Sequence, residues 1–185
     1  MGILELTVRS AVRALLSIGA VAALAGGMAE AQLVGPPQRA PDMLVTSVAL
    51  DDLRLLVDDL GGTFLAAGQN DAGAPFVFAR LPEGLTLGIY TVCTDATATD
   101  CRGVEFMAAF GSALTDKDVA AIDRAYSAIS VYKPDPDTVH VSRYVILDHG
   151  VTWANLRENA VVFEALCARV SERLSGSGPD VPPSP

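Results

Sequence analysis

Three cysteines and two histidines carry the most reactive side-chain chemistry in this 185-residue chain. Cys93 and Cys101 flank the segment TDATATD between two predicted strands, and an antiparallel hairpin would bring them within bridging distance. A metal pair or a redox-active dithiol would use the same thiols. However, the sequence has no C-x-x-C motif, and two further zinc ligands are not evident nearby. We therefore predict a structural disulfide, which an oxidising compartment would favour.

The two histidines do not form a recognisable catalytic arrangement. His140 lies in a predicted strand and His149 in a turn, and Ser142 and Asp148 are close to them in sequence. A triad can be assembled from these residues on paper, but no G-x-S-x-G motif supports it. We therefore predict no catalytic residue and a protein that is not an enzyme, with a hydrolase as the remote alternative.

Neither a metal ion nor a cofactor is predicted. The acidic pairs do not match the D-x-[DN]-x-[DN]-G calcium loop. No glycine-rich loop follows a strand and opens a helix, as a nucleotide site would require. The acidic pairs are Asp51/Asp52 at a helix start, Asp58/Asp59 on a helix face and Asp135/Asp137 in a turn. We expect these carboxylates to be solvated.

The first 31 residues have the pattern of a secretory signal peptide. Arg9 and Arg13 precede an apolar run over residues 14–28, and Ala29-Glu30-Ala31 supplies the small residues of a cleavage site. The apolar run is shorter than the roughly 20 residues that span a bilayer. The sequence predicts cleavage after Ala31, a periplasmic or secreted mature protein, and no stable membrane insertion after cleavage.

Composition predicts one domain between two flexible ends. Residues 32–42 are proline-rich and are predicted as a linker, residues 43–174 as one α+β domain, and residues 175–185 as a disordered tail. The leader contains two basic and two acidic residues out of 13 and 22, so the mature charge stays at 11 − 20 = −9. Because phosphate contacts require clustered Lys and Arg, nucleic acid is not an expected partner.

Hydrophobic periodicity predicts strands and helices in alternation. The predicted strands are Leu44–Val48, Thr63–Ala67, Phe76–Arg80, Thr86–Cys93, Gly103–Phe110 and about Val139–Leu147, with a turn at Tyr132–Asp137. The predicted helices are Asp51–Leu60, Thr115 to about Ile129, and one that Thr152 caps. The last helix carries an apolar stripe at spacings of three and four: Trp153, Leu156, Ala160, Phe163, Cys167, Val170 and Leu174. Cys167 is therefore expected to be a buried free thiol.

The order of these elements resembles the YbjN-domain family of bacteria. The resemblance is carried by GIYTVCTDATATDCRGVEFMAAF (residues 88–110) and HGVTWANLRENAVVF (residues 149–163). It implies an antiparallel meander with helices packed on it, a fold like that of the small type III secretion chaperones. Some members of the family are described as sensory-transduction regulators. In the middle helix, this chain lacks the Asn…Trp-Asn signature of its relatives.

The favoured hypothesis for function is an exported, non-catalytic module that binds a protein or peptide, with a regulatory or chaperone-like role. An antiparallel sheet with one face uncovered would offer edges and an apolar surface to such a partner. Candidate contacts are Phe76, Phe78, Tyr90 and Tyr132, although such aromatics are also common in a core. The partner's identity and a homodimer are left open. The alternative is a periplasmic small-ligand sensor with a cavity between sheet and helices.

Overall fold

The structure is a computed structural model that describes residues 39–95 and 97–176. The predicted signal peptide, residues 32–38 of the predicted linker and residues 177–185 of the predicted tail lie outside the described residues. The first described residues belong to the predicted linker, and they already contact the domain. The carbonyl of Pro41 accepts a hydrogen bond from the N–H of Ala154 at 2.9 Å, and the guanidinium of Arg39 lies over the ring of Trp153.

The described part of the chain contains eight strands and three helices. The strands are β1 (Leu44–Val45), β2 (Thr63–Gln69), β3 (Pro75–Arg80), β4 (Thr86–Cys93), β5 (Cys101–Gly111), β6 (Ser130–Asp135), β7 (Thr138–Ile146) and β8 (Val151–Thr152). The helices are α1 (Leu50–Asp59), α2 (Asp116–Ala125) and α3 (Trp153–Leu174). No helix in this part combines the length and the apolar character that crossing a membrane requires.

Six of the strands form one antiparallel sheet in the order β2-β3-β4-β5-β7-β6. The first four follow each other as a meander, because short turns join them. After β5 the chain crosses through α2 to the edge strand β6 and returns as β7 between β6 and β5. The predicted fold class, an α+β fold with helices packed on an antiparallel sheet, is therefore confirmed.

Two predicted boundaries in the middle of the chain were wrong. Helix α2 ends at Ala125 rather than near Ile129, because the carboxylate of Asp123 accepts a hydrogen bond from the N–H of Val131 at 2.8 Å and draws the chain into β6. The segment from Tyr132 to Asp135 is strand, not turn. Pro134 fits there because β6 is an edge strand whose register shifts at this point, so no ladder hydrogen bond is lost.

A single hydrophobic core fills the space between the sheet and the helices. Helix α1 lies on β2 and β3, α3 on β5 and β7, and α2 against β6. The predicted stripe of α3 faces this core, where the ring of Phe163 packs on that of Phe106 at a centroid distance of 6.0 Å. Thr152 caps α3 by accepting the N–H of Asn155 at 3.1 Å, as predicted.

Candidate functional site

The three helices of the described chain all pack on one face of the six-stranded sheet. We call the opposite surface the open face. Because residues alternate between the two faces along each strand, the register of the strands identifies the side chains that belong to it. They include Phe76, Phe78, Tyr90, Glu105, Met107, Tyr132, His140 and Tyr144. All of them are at least partly exposed.

Three of the four predicted contact residues form one aromatic cluster on this face. The ring centroids of Phe76 and Phe78 lie 5.4 Å apart, as do those of Phe76 and Tyr90, and Phe78 and Tyr90 are 6.0 Å apart. Tyr90 pairs with Phe76 across β3 and β4, which places the two rings side by side. Edge-to-face and offset geometries of this kind favour well-ordered rings.

The fourth predicted contact, Tyr132, lies on the same face at the other edge of the sheet. It pairs with His140 on the neighbouring strand, and the two rings are 5.5 Å apart in an edge-on arrangement. Tyr132 is 42% exposed. The structure therefore places the four predicted contacts on one surface, in two groups separated by β5 and β7.

Glycines on the open face leave room for aromatic rings close to the backbone. A Cβ at Gly68 would lie 2.6 Å from the ring of Phe76, and one at Gly88 would lie 2.7 Å from the ring of Tyr90. A Cβ at Gly103 would lie closest of all to an aromatic side chain, the phenol of Tyr144. Each ring therefore lies down on the backbone where the glycine leaves room for it, and part of each ring remains accessible.

Glu105 is the acidic residue in the middle of this surface. In the strand register it lies directly between Tyr90 on β4 and Tyr144 on β7. Burial first, and then the charge of Glu105, raises the pKa of both Tyr90 and Tyr132 above 10. A smaller contribution to the raised pKa of Tyr90 comes from Tyr132. The rings and this carboxylate therefore act on one another electrostatically.

Tyr144 is a residue of the open face that the sequence did not single out. It is 51% exposed, and its position alternates with buried Val145 on β7. Alternation along β5 places Glu105 and Met107 on the face opposite to Phe106, but it does not show whether that face is covered. The same alternation along the predicted strand 139–147 was the signal that could have identified Tyr144.

Cys93 and Cys101 form a disulfide at the end of the hairpin made by β4 and β5. The turn that they close is held by Asp95, whose carboxylate accepts the N–H of Asp100 at 2.8 Å and that of Thr99 at 3.1 Å. Hydrogen bonds from Thr97, Asp100 and Thr99 lower the pKa of Asp95 far below its usual value. The hairpin end is thus fixed covalently and by hydrogen bonds.

The structure does not gather the two histidines into one site. His140 lies on the open face beside Tyr132, whereas His149 is in the turn before β8, in a left-handed conformation with φ of 65°. Within residues 39–95 and 97–176, no group of three His, Cys, Asp or Glu side chains is arranged to hold a metal ion. Cys167 is buried on α3, and this burial raises its pKa to about 12.

Two surface pockets lie away from the layer between sheet and helices. One of about 180 Å³ is formed beside the disulfide and is lined by Asn70, Ala72, Ala74, Thr91, Val92, Cys93 and Asp95. The other, of about 460 Å³, is a wide depression between the start of α2 and the turn after β6. Neither is the sheet–helix cavity that a small-ligand sensor would use.

Comparison with solved structures finds the crystal structure of YbjN from E. coli, described as a putative transcription regulator. The two are 19% identical, with a TM-score of 0.46, and the match covers 71% of this chain and 98% of that protein. No family model matches the chain. No curated protein matches it either.

Proposed function

We propose that this chain is an exported, non-catalytic module that binds a protein or peptide on its open face. The observation that carries this proposal is the one-sided placement of the helices. Five aromatic side chains remain partly exposed on the face that the helices leave uncovered: Phe76, Phe78, Tyr90, Tyr132 and Tyr144. Aromatic residues in such a setting are typical anchors of protein interfaces.

The shape of the face favours an extended or flat partner over a small molecule. Binding sites for small ligands are concave and enclose most of the ligand surface. Here the rings of Phe76, Tyr90 and Tyr144 lie close over Gly68, Gly88 and Gly103 and fill the space above these glycines. A peptide or a partner's surface can cover such an area and bury several rings at once.

The neighbouring edge strand β2 is a second surface for a peptide. All of its residues but one are exposed, and its sequence TFLAAGQ has no charge to discourage strand addition. However, the register between β2 and β3 shifts near Leu65, and a bulge of this kind weakens an edge as a template. We therefore place the main contact on the open face rather than on this edge.

Export is part of the proposal because of the leader and the two linked cysteines. A positively charged start, an apolar run and a small-residue cleavage site are the pattern of a secretory signal. A disulfide between Cys93 and Cys101 would persist in an oxidising compartment. Mass spectrometry of the mature protein should find Gln32 as its first residue, and an uncut leader would contradict export.

Photo-crosslinking in intact cells tests the binding surface. We would place p-benzoylphenylalanine at Tyr144 on the open face, at Leu65 on the edge strand and at Leu44 on the small β1–β8 sheet. Leu44 is the matched control because it is apolar and 64% exposed but lies away from both surfaces. Crosslinks to a protein should form from Tyr144 and not from Leu44.

The same experiment can contradict the proposal in two ways. Crosslinks from Leu65 alone would place binding on the edge of the sheet instead of its face. Equal crosslinking from Tyr144 and Leu44, or none from Tyr144, would show that the open face is not a binding surface.

A further inference from the structure

Among the described residues of the open face, the carboxylate of Glu105 has no hydrogen-bond or ion-pair partner. It is only partly exposed, yet it forms no hydrogen bond or ion pair with any residue in the described part of the chain. An unpaired carboxylate gains a charge-assisted hydrogen bond when a positively charged donor is brought to it.

The basic side chains next to Glu105 in the sheet are committed elsewhere. Arg143 lies on the helix side, where it donates to Asn159 at 2.9 Å and to the carbonyl of Ala128 at 2.6 Å. Arg102 forms ion pairs with Asp100 at 2.7 Å and Asp148 at 3.4 Å. Among the described residues, the one arginine on the open face is Arg80, which is at the far end of β3, two strands away from Glu105.

Two tyrosine rings flank the unpaired carboxylate. Tyr90 and Tyr144 are its direct cross-strand neighbours, and Cβ atoms of such neighbours lie about 5 Å apart. The faces of aromatic rings attract cations, and a nearby carboxylate adds direct charge attraction. Tyr90, Glu105 and Tyr144 thus form a row, which we call the tyrosine–glutamate row, with the chemistry of a cation site.

We propose that the tyrosine–glutamate row binds an arginine or lysine side chain that a partner protein presents from an extended segment. This names the partner chemistry of the proposed function and rests on it. Charge complementarity supports a basic partner, because the chain has a formal net charge of −9 and the row itself is negative. The open face continues beyond the row at Phe76, the cross-strand neighbour of Tyr90, and offers a further contact to the neighbouring residues of that segment.

Binding of matched synthetic peptides tests the proposal. The probes are two short capped peptides of serine and valine that differ only at the centre, where one has arginine and the other has citrulline. Citrulline keeps the shape of arginine and removes its charge. By fluorescence anisotropy, the mature protein should bind the arginine peptide about tenfold more tightly than the citrulline peptide.

Two variants that each remove one negative charge separate an effect of Glu105 itself from an effect of the net charge of the protein. Glu105→Gln should abolish the preference for arginine, so that the two peptides bind with equal affinity. Glu158→Gln, on the exposed side of α3, is the matched control and should keep the preference. In NMR spectra, the arginine peptide should shift the ring signals of Tyr90 and Tyr144 in the wild-type protein.

Several results would overturn the inference. Equal affinity for the two peptides, equal effects of the two glutamine variants, or no binding of either peptide would each do so. Binding to phosphatidylcholine vesicles that needs Glu105 would assign the cation to a lipid headgroup instead. Crosslinking from Tyr144 tests the proposed function separately, because it requires no basic side chain in the partner.

Discussion

At the scale of single residues, the open face depends on pairs in which an aromatic ring lies over a glycine. Gly103 is the clearest case, because any side chain at this position would occupy the space that the phenol of Tyr144 takes. Glycine normally weakens a strand, since it adds backbone entropy to the unfolded chain and offers no side chain to pack. Here the loss is offset by the contact between ring and backbone.

Tyr90 and Tyr132 should ionise at unusually high pH. Burial and Glu105 both favour the neutral phenol, so the pKa values of Tyr90 and Tyr132 lie above 10. In Glu105→Gln both should fall towards 10 but stay above it, because burial remains. Absorbance at 295 nm during an alkaline titration measures the change, and Tyr→Phe variants assign each transition.

The sign of the effect on stability follows from the same shift. Because the folded state prefers the neutral phenol, the stabilisation is complete below pH 10 and is lost as the pH rises from 10 through the raised pKa. Glu158→Gln should leave the titration of both tyrosines unchanged. An identical titration in wild type and Glu105→Gln would show that this carboxylate does not act on the rings.

At the scale of elements, the β4–β5 hairpin is constrained by a disulfide at its turn. The disulfide between Cys93 and Cys101 closes this end, and β5 then continues through the centre of the sheet. Glu105 follows Cys101 by four residues, so the hairpin that carries the disulfide also carries Tyr90 and Glu105, two of the three residues of the tyrosine–glutamate row. Local order in the hairpin therefore fixes these two residues relative to each other, and β7 adds Tyr144.

Removing the disulfide should destabilise the protein moderately. The bond closes a loop of about nine residues, which in the chain-entropy model stabilises the folded state by about 2.5 kcal/mol. The double variant Cys93→Ser/Cys101→Ser should lose about this much free energy of unfolding, measured in urea without reductant. Addition of dithiothreitol should abolish most of the difference, and a difference that persists under reduction would assign the loss to packing of the side chains.

At the scale of the whole molecule, the two faces of the sheet have different roles. The face under the helices is closed, and buried side chains from all three helices and from the sheet form its core. The open face also carries aromatic side chains, but in the described chain no helix lies above it. Substitutions of the same kind should therefore affect stability on one face and binding on the other.

Two phenylalanines provide a matched test of this division. Phe163→Ala should lower the free energy of unfolding by about 3–5 kcal/mol, because the side chain is fully buried against Phe106. Phe78→Ala should cost less than about 2 kcal/mol, because its ring is partly exposed already. Urea denaturation measures both, and equal losses would mean that the open face contributes to stability like a core.

Local patterns in the sequence determined most of the elements. The three-and-four spacing of α3, the capping Thr152 and the alternation along β4, β5 and β7 all depend on neighbours within a few residues. The two-residue spacing of Phe76 and Phe78 likewise determined that they share a face. The prediction from the sequence was wrong near Pro134, because proline is common both in turns and at irregular points of edge strands.

Only the tertiary structure decided which face of the sheet the helices leave open. Alternation divides the residues of a strand into two sets, but both sets here contain large apolar or aromatic side chains, so composition does not tell them apart. The tertiary structure also decided which residues form the tyrosine–glutamate row. The strand β7 inserts between β5 and β6 and thereby brings Tyr144 next to Glu105. The physical reason is that a candidate site assembled across strands depends on contacts distant in sequence, which no local pattern contains.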